Sequence, residues 1–119
     1  EQIITWAKGN PGVGAVIGGN SLEELFALAK MFAGKDIPLL IPGVGDQGGT
    51  APEVMKTLRE ANYEVELARI NSASKITHPW YSEKEPNKVI PTAKECIDLS
   101  INAMQTLNEE VGYGDKVAA

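Results

Sequence analysis

A short apolar segment that runs directly into a glycine-rich loop is the feature that most limits how this chain can fold. The segment is Pro-Leu-Leu-Ile at 38–41, and the loop after it has glycine at 43, 45, 48 and 49. An apolar run of this length is typical of a strand buried on both faces. Glycine allows close approach to the backbone amides, so the sequence predicts an anion-binding loop at the carboxyl end of a strand.

The residues after this loop predict the start of a helix. Thr50-Ala51-Pro52-Glu53 places proline in the first turn, where its missing N–H leaves no helical hydrogen bond unmade. A strand, a glycine-rich loop and a helix N-terminus in this order favour a phosphate site. Two alternatives remain open, a plain tight turn and a dinucleotide-binding fingerprint. The spacing of Gly43, Gly45 and Gly48 fits that fingerprint, although Pro42 and the late helix start are unusual for it.

Strand and helix patterns alternate along the rest of the chain. Strands are predicted at 13–18, 38–41 and 65–71, and helices at 1–8, 21–34, 52–63 and 92–110. Capping boxes at Ser21 and Thr92 open two of these helices, and the last one carries an apolar stripe that includes Ile97 and Met104. The alternation predicts an α/β fold with about three parallel strands. Because both edges of so small a sheet would be open, we expect the fold to be incomplete and the chain to form a homo-oligomer.

Composition narrows the classes of partner and compartment. The 119 residues suffice for a single domain, and a net charge of −5 without a basic run argues against nucleic acid and anionic membranes as partners. No apolar run reaches the roughly 18 residues of a membrane span. One cysteine, Cys96, suits a reducing, cytoplasmic location, and with His78 as the single histidine we predict no metal site.

A second strand-end loop is a candidate for the same phosphate site. Asn71-Ser72-Ala73-Ser74-Lys75 follows the third predicted strand, and its small side chains leave the amides accessible beside one positive charge. In (β/α)8 barrels the last two such loops often share a phosphate. The alternative is an ordinary helix-capping turn, which is also the favoured interpretation for residues 18–21, a third strand-end loop on the same edge. No Ser/His/Asp set or carboxylate pair is visible at the strand ends, so we assign no catalytic residue.

Three segments resemble one enzyme family. Pro42-Gly43-Val44-Gly45-Asp46-Gln47-Gly48-Gly49 resembles the strand-seven loop of orotidine 5′-monophosphate (OMP) decarboxylases. Residues 16–25 are similar to the sixth strand and helix of that family, and residues 70–74 to strand eight of its longer-chain subfamily. The resemblance implies the C-terminal half of a (β/α)8 TIM barrel. Residues 1–119 would then be one partial domain, from the end of helix five through helix eight, with a frayed tail from about 112.

The resemblance also implies a ligand and the residues that bind it. The ligand would be OMP, or its decarboxylation product UMP, and no cofactor would be needed. Gln47 would contact both the phosphate and the pyrimidine, and the loop 45–50 would close over the phosphate. The implied binding residues are Pro42, Val44, Gln47, Gly48, Ala73, Ser74 and Lys75. Pro42 and Val44 would line the base pocket, and the amides of Ala73 and Ser74 would hold phosphate oxygens.

Two departures from the family pattern bear on function. The family usually has arginine where this chain has Ser74, and Lys75 would replace its charge but not its bidentate fork. The catalytic Lys/Asp array of the family lies in the first half of the barrel, outside this sequence. We therefore expect this chain alone to be inactive and to require the missing N-terminal half-barrel as its partner. The alternative is a non-catalytic module that binds a phosphorylated ligand.

Overall fold

The computed structural model describes residues 1–45, 48–81, 85 and 89–112. Its elements, in chain order, are α1 Gln2–Ala7, β1 Ala15–Val16, α2 Leu22–Phe32, β2 Leu39–Ile41, α3 Ala51–Glu60, a 3-10 turn Val65–Leu67, β3 Ala68–Ile70, α4 Ser74–Thr77 and α5 Ala93–Val111. The chain divides into two compact units, Glu1–Asn71 and Ser72–Ala119. None of the described helices is long and apolar enough to cross a membrane.

The first unit contains a parallel sheet with β2 in the centre. The strand order is β1-β2-β3, Val16 lies opposite Leu40, and Leu40 lies opposite Arg69. A helix follows β1 and another follows β2, as is usual for connections between parallel strands. The predicted α/β fold with three parallel strands is confirmed, and it is the arrangement that part of a (β/α)8 barrel has.

One face of this sheet is buried and the other is exposed. The buried strand residues are Ala15, Leu39, Ile41 and Ala68, and α2 and α3 contribute Leu25, Ala29, Phe32, Val54, Met55 and Leu58 to the same core. The alternate strand residues are not covered, since Leu40 is 44% exposed. The prediction that 38–41 is buried on both faces is therefore wrong. An apolar run does not reveal whether its second face is covered by the same chain.

The strands are shorter than their sequence patterns predicted. β1 keeps only Ala15–Val16 of the predicted 13–18, and β3 begins at Ala68 because Val65–Leu67 forms a 3-10 turn. In that turn the Leu67 amide donates to the Glu64 carbonyl at 2.9 Å. Residues 65–67 therefore make a local hydrogen bond instead of extending the ladder to β2.

Helix starts follow the predicted side-chain chemistry. The Ser21 hydroxyl accepts the Glu24 amide at the start of α2, and the Thr92 and Glu95 pair forms a complete capping box at the start of α5. Thr50 and Glu53 form a second complete box at α3. The apolar stripe of α5 is only partly buried: Ile97 and Met104 are 60% and 45% exposed.

A buried tyrosine fixes the end of α3 to the segment that enters β2. The Tyr63 hydroxyl donates to the Ile37 carbonyl at 2.7 Å, and Ile37 is fully buried. Substitution Tyr63→Phe leaves that carbonyl without this donor, so we expect the free energy of unfolding to fall by about 1–2 kcal/mol.

Urea unfolding followed by circular dichroism measures this change, and Tyr81→Phe is the matched control. Tyr81 is 55% exposed, so the same loss of a hydroxyl is expected to change the free energy of unfolding by less than about 0.5 kcal/mol. Equal effects of the two substitutions would contradict the structural role of the Tyr63 hydroxyl.

Candidate functional site

The glycine-rich loop joins β2 to α3 at the carboxyl edge of the sheet. Gly43 and Gly45 have φ of +77° and +113°, values that residues with a β-carbon rarely adopt. The backbone therefore requires glycine at these two positions. Asp46 and Gln47, the polar residues at the centre of the loop, lie outside the described residues. The predicted contacts of Gln47 with phosphate and pyrimidine thus stay a prediction.

Three amides of this loop donate to backbone carbonyls. Gly45 donates to Gly49 at 3.1 Å, and Gly48 donates to Gly45 at 3.3 Å. The Gly49 amide donates at 3.0 Å to the carbonyl of Gly19, in the β1–α2 loop. An anion accepted by these amides would replace bonds that hold the loop in place. The described amides of the loop, those of Gly45, Gly48 and Gly49, therefore already have acceptors and are not all directed at one point.

The β1–α2 loop, residues 18–21, supports the glycine-rich loop. Gly19 donates its amide to the Pro42 carbonyl at 2.7 Å, in addition to accepting the bond from Gly49. A β-carbon at Gly48 would lie 2.5 Å from Asn20 Cα, so the two loops are in backbone contact. The sequence placed residues 18–21 at the same edge of the sheet and favoured a helix-capping role for them. Its glycine pair indicated the loop, but the bonds of Gly19 to Pro42 and Gly49 could not be seen in the sequence.

The two predicted base-contacting residues are held close to this loop contact. Val44 is buried, and its Cγ2 lies 2.9 Å from the position that a β-carbon on Gly19 would occupy. Pro42 is half-buried, with its carbonyl bonded to Gly19. The Val44 side chain and the Pro42 backbone are therefore held by the loop contact at the carboxyl edge of the sheet. Their contact with a pyrimidine base stays a prediction.

A carboxylate of the chain, that of Glu53, is bound at the N-terminus of α3. Glu53 Oε2 accepts the Thr50 amide at 2.8 Å and the Thr50 hydroxyl at 2.9 Å. These bonds, first from the amide and then from the hydroxyl, lower the pKa of the Glu53 carboxyl. A phosphate at this terminus would meet an ionised carboxylate. This helix terminus is therefore a poor candidate for the predicted phosphate site.

The second predicted group of binding residues lies in the unit that begins at Ser72. Ala73, Ser74 and Lys75 are all exposed, and α4 begins at Ser74 with Ala73 as the residue before it. The Ala73 carbonyl accepts the amides of Ile76 and Thr77, which closes this single turn. The segment is a short helical turn with accessible residues at its start. Its contact with the phosphate stays a prediction.

No metal or catalytic centre is evident in the part of the chain that the structure describes. No group of three His, Cys, Asp or Glu side chains among those residues could hold a metal ion. His78 pairs through Nδ1 with the Thr77 hydroxyl at 2.7 Å, and its ring meets Tyr81 edge-on. Both rings are exposed, so this contact does not form an enclosed site.

The described geometry is that of a parallel α/β protein with its candidate loops at the carboxyl edge of its strands, the class to which (β/α)8 barrels belong. The chain is 38% identical, over 88 residues, to the orotidine 5′-phosphate decarboxylase of Clostridium acetobutylicum. This similarity confirms the resemblance to that enzyme family. The match covers 74% of this chain and 28% of the relative. No model of a protein family and no solved structure matches the chain.

Backbone contact at Gly48 leads to a testable expectation. A β-carbon there would lie 2.5 Å from Asn20 Cα and 2.8 Å from the Gly43 carbonyl oxygen, both of which are backbone atoms. Because backbone cannot move aside as a side chain can, we expect Gly48→Ala to lower the free energy of unfolding by about 1–3 kcal/mol.

Gly12→Ala is the control, since a β-carbon at Gly12 meets no atom within 4 Å. It is expected to change the free energy of unfolding by no more than about 0.5 kcal/mol. Thermal and urea unfolding of both variants measure the difference. A Gly48→Ala protein as stable as the Gly12→Ala protein would contradict the loop contact.

Proposed function

We propose that this chain is the phosphate- and pyrimidine-binding part of an orotidine 5′-monophosphate decarboxylase, a carboxy-lyase of pyrimidine biosynthesis. The observation that carries the proposal is the glycine-rich loop after β2, supported from β1, in a chain that is 38% identical over 88 residues to such an enzyme. The chain spans just over a quarter of that relative. The activity of the complete enzyme is therefore a proposal for this chain.

The reaction of the complete enzyme would exchange one substituent on the pyrimidine ring. The bond between C6 and the carboxylate breaks, CO2 leaves, and a proton takes its place on C6, which gives UMP without a cofactor. A lysine and an aspartate outside this chain would stabilise the carbanion and destabilise the carboxylate. Binding energy from the phosphate, which is remote from C6, would be used to close the site around the reacting ring.

This chain would contribute the remote part of the site. Gln47 would contact the phosphate and the base, and Pro42 and Val44 would line the base pocket. The loop that contains Gly48 would cover the phosphate, and the amides of Ala73 and Ser74 would bind its oxygens. Lys75, exposed one residue later, would supply a positive charge without the bidentate geometry of arginine.

The partner would be an N-terminal half-barrel that carries the catalytic lysine and aspartate. The exposed second face of the sheet and the edge positions of β1 and β3 support this requirement, because a barrel interior is closed only when its other strands are present. The assembled protein would be a cytoplasmic enzyme. Association of the chain with itself, expected from the open edges, stays a prediction that native mass spectrometry tests.

We expect the isolated chain to show no decarboxylation of OMP and to gain activity when the missing half is supplied. Release of CO2 from carboxyl-labelled OMP measures both states, with the added half alone as the control. The missing half carries the catalytic side chains, so activity should require both polypeptides together. Turnover by this chain alone would contradict the proposal.

A titration of the isolated chain with UMP and with inorganic phosphate distinguishes the proposal from a generic phosphate module. Base contacts should make UMP bind at least about 100-fold more tightly, which corresponds to about 2.8 kcal/mol. Equal affinities would favour the non-catalytic module. Binding of NADH, followed by its fluorescence, would instead favour the dinucleotide alternative.

A further inference from the structure

The side of α2 that is turned away from the core combines two charges with an apolar centre. At 3.6 residues per turn, positions 23, 26, 27 and 30 of this helix lie within an arc of about 100°. We call these four positions the outward face of α2, and all of them are exposed: Glu23, Phe26, Ala27 and Lys30. The buried residues of the helix lie on its other side, and they are Leu25, Ala29 and Phe32.

The two charges lie at opposite ends of the outward face. Glu23 is in the first turn of α2 and Lys30 is in the last, about 10.5 Å apart along the helix axis. The Lys30 Nζ lies 5.9 Å from the centre of the Phe26 ring, so the ammonium group stays over this face. Within the described ranges, the ion pair that the structure shows joins Lys56 to Glu60, on α3. Neither charge of the outward face has an oppositely charged partner in that part of the chain.

The order of charges alone would not indicate a contact surface. An acid near the start of a helix and a base near its end both suit the helix dipole, and α3 has the same order. The large apolar side chains of α3, which are Val54, Met55 and Leu58, are all buried. On α2, by contrast, Phe26 and Met31 are 36% and 41% exposed. Of the two helices that cover the sheet, α2 is the one that adds exposed apolar surface to its charges.

The outward face is complementary to a second copy of itself. In an antiparallel pair of α2 helices with a two-fold axis between positions 26 and 27, Glu23 of one copy lies level with Lys30 of the other. Phe26 lies level with Ala27 of the second copy, whose small side chain leaves room for the ring. The symmetry repeats each contact, so the pair contains two contacts between opposite charges and two between the ring and the alanine.

We propose that the outward face of α2 binds a second copy of this chain in an antiparallel, two-fold symmetric pair. Glu23 of each copy pairs with Lys30 of the other, and the two Phe26 rings fill the centre of the contact. The inference goes beyond the proposed function, since none of the candidate binding residues belongs to this face. Stable interfaces bury about 1,200–2,000 Å² in total, which exceeds what one helix of 11 residues offers, so the dimer is weak and reversible.

Sedimentation equilibrium of the chain, at concentrations up to about 1 mM, measures this association. Lys30→Glu places two carboxylates opposite each other at both ends of the contact. Because like charges at an interface repel, we expect this variant to raise the dissociation constant at least about tenfold. Circular dichroism and thermal unfolding establish that each variant folds.

The matched control is Arg59→Glu, the same change of charge at an exposed position in the last turn of α3. It is expected to leave the dissociation constant within about threefold of that of the unmodified chain. Ala27→Gln tests the apolar centre, because its longer side chain occupies the space that the Phe26 ring of the second copy needs. It should weaken the dimer at least about tenfold.

A mixture of two variants tests the pairing itself. Glu23→Lys and Lys30→Glu each oppose like charges when alone, but a mixed pair sets two cations of one chain opposite two anions of the other. The mixture should therefore associate at least about tenfold more tightly than either variant by itself. A mixture of Glu23→Lys with Arg59→Glu has the same net charges and should not recover association.

Three results would overturn the inference. They are a chain that stays monomeric up to about 1 mM, a dimer that Lys30→Glu weakens no more than Arg59→Glu does, and a mixture of complementary variants that fails to recover association. Pairing through the open sheet edges would give the second result. The measurements use no nucleotide, so a dimer that responds as expected supports the inference even where UMP and phosphate bind equally, a result that counts against the decarboxylase alone.

Discussion

Parallel pairing on both sides of β2 is the constraint on which the first unit depends. Because the three strands run in the same direction, their carboxyl ends meet at one edge, and the loops that follow β1 and β2 become neighbours. The bond from the Gly19 amide to the Pro42 carbonyl continues the β1–β2 ladder beyond the last strand residues. The pairing of the strands thus also determines where the candidate binding loop lies.

One face of the same sheet is buried under helices, and the opposite face is exposed. Its covered face contains residues such as Leu39 and Ile41, which are fully buried, while Val16 on the opposite face remains mostly exposed. A barrel requires this division, because its helices cover the outside of the strands and its interior is filled by side chains from strands that lie across the barrel. The described part of the chain therefore shows the outer packing of such a barrel, while the opposite face of its three strands is exposed.

Sequence reasoning succeeded where the determining interactions are local. The helices that begin after Ser21 and Thr92 could be predicted because a cap and an apolar period involve only nearby residues. Strand ends depend on a partner strand, so the replacement of the strand at 65–67 by a 3-10 turn could not be seen. The glycine-rich loop could be recognised from its glycine content. Its bond to Gly19 could not be predicted, since that bond depends on which loops become neighbours.

The double engagement of Gly19 has a consequence for how the glycine-rich loop can change. Its amide donates to the Pro42 carbonyl, and its carbonyl accepts the Gly49 amide. A single residue therefore binds both ends of the segment 42–49. These two hydrogen bonds close the segment into a loop. The entropic cost of closing a loop rises only slowly with its length, by about 0.6 kcal/mol for each doubling. A change in the length of the segment's middle would therefore add little to the entropic cost of closing it, while the backbone bonds of Gly19 keep its two ends together.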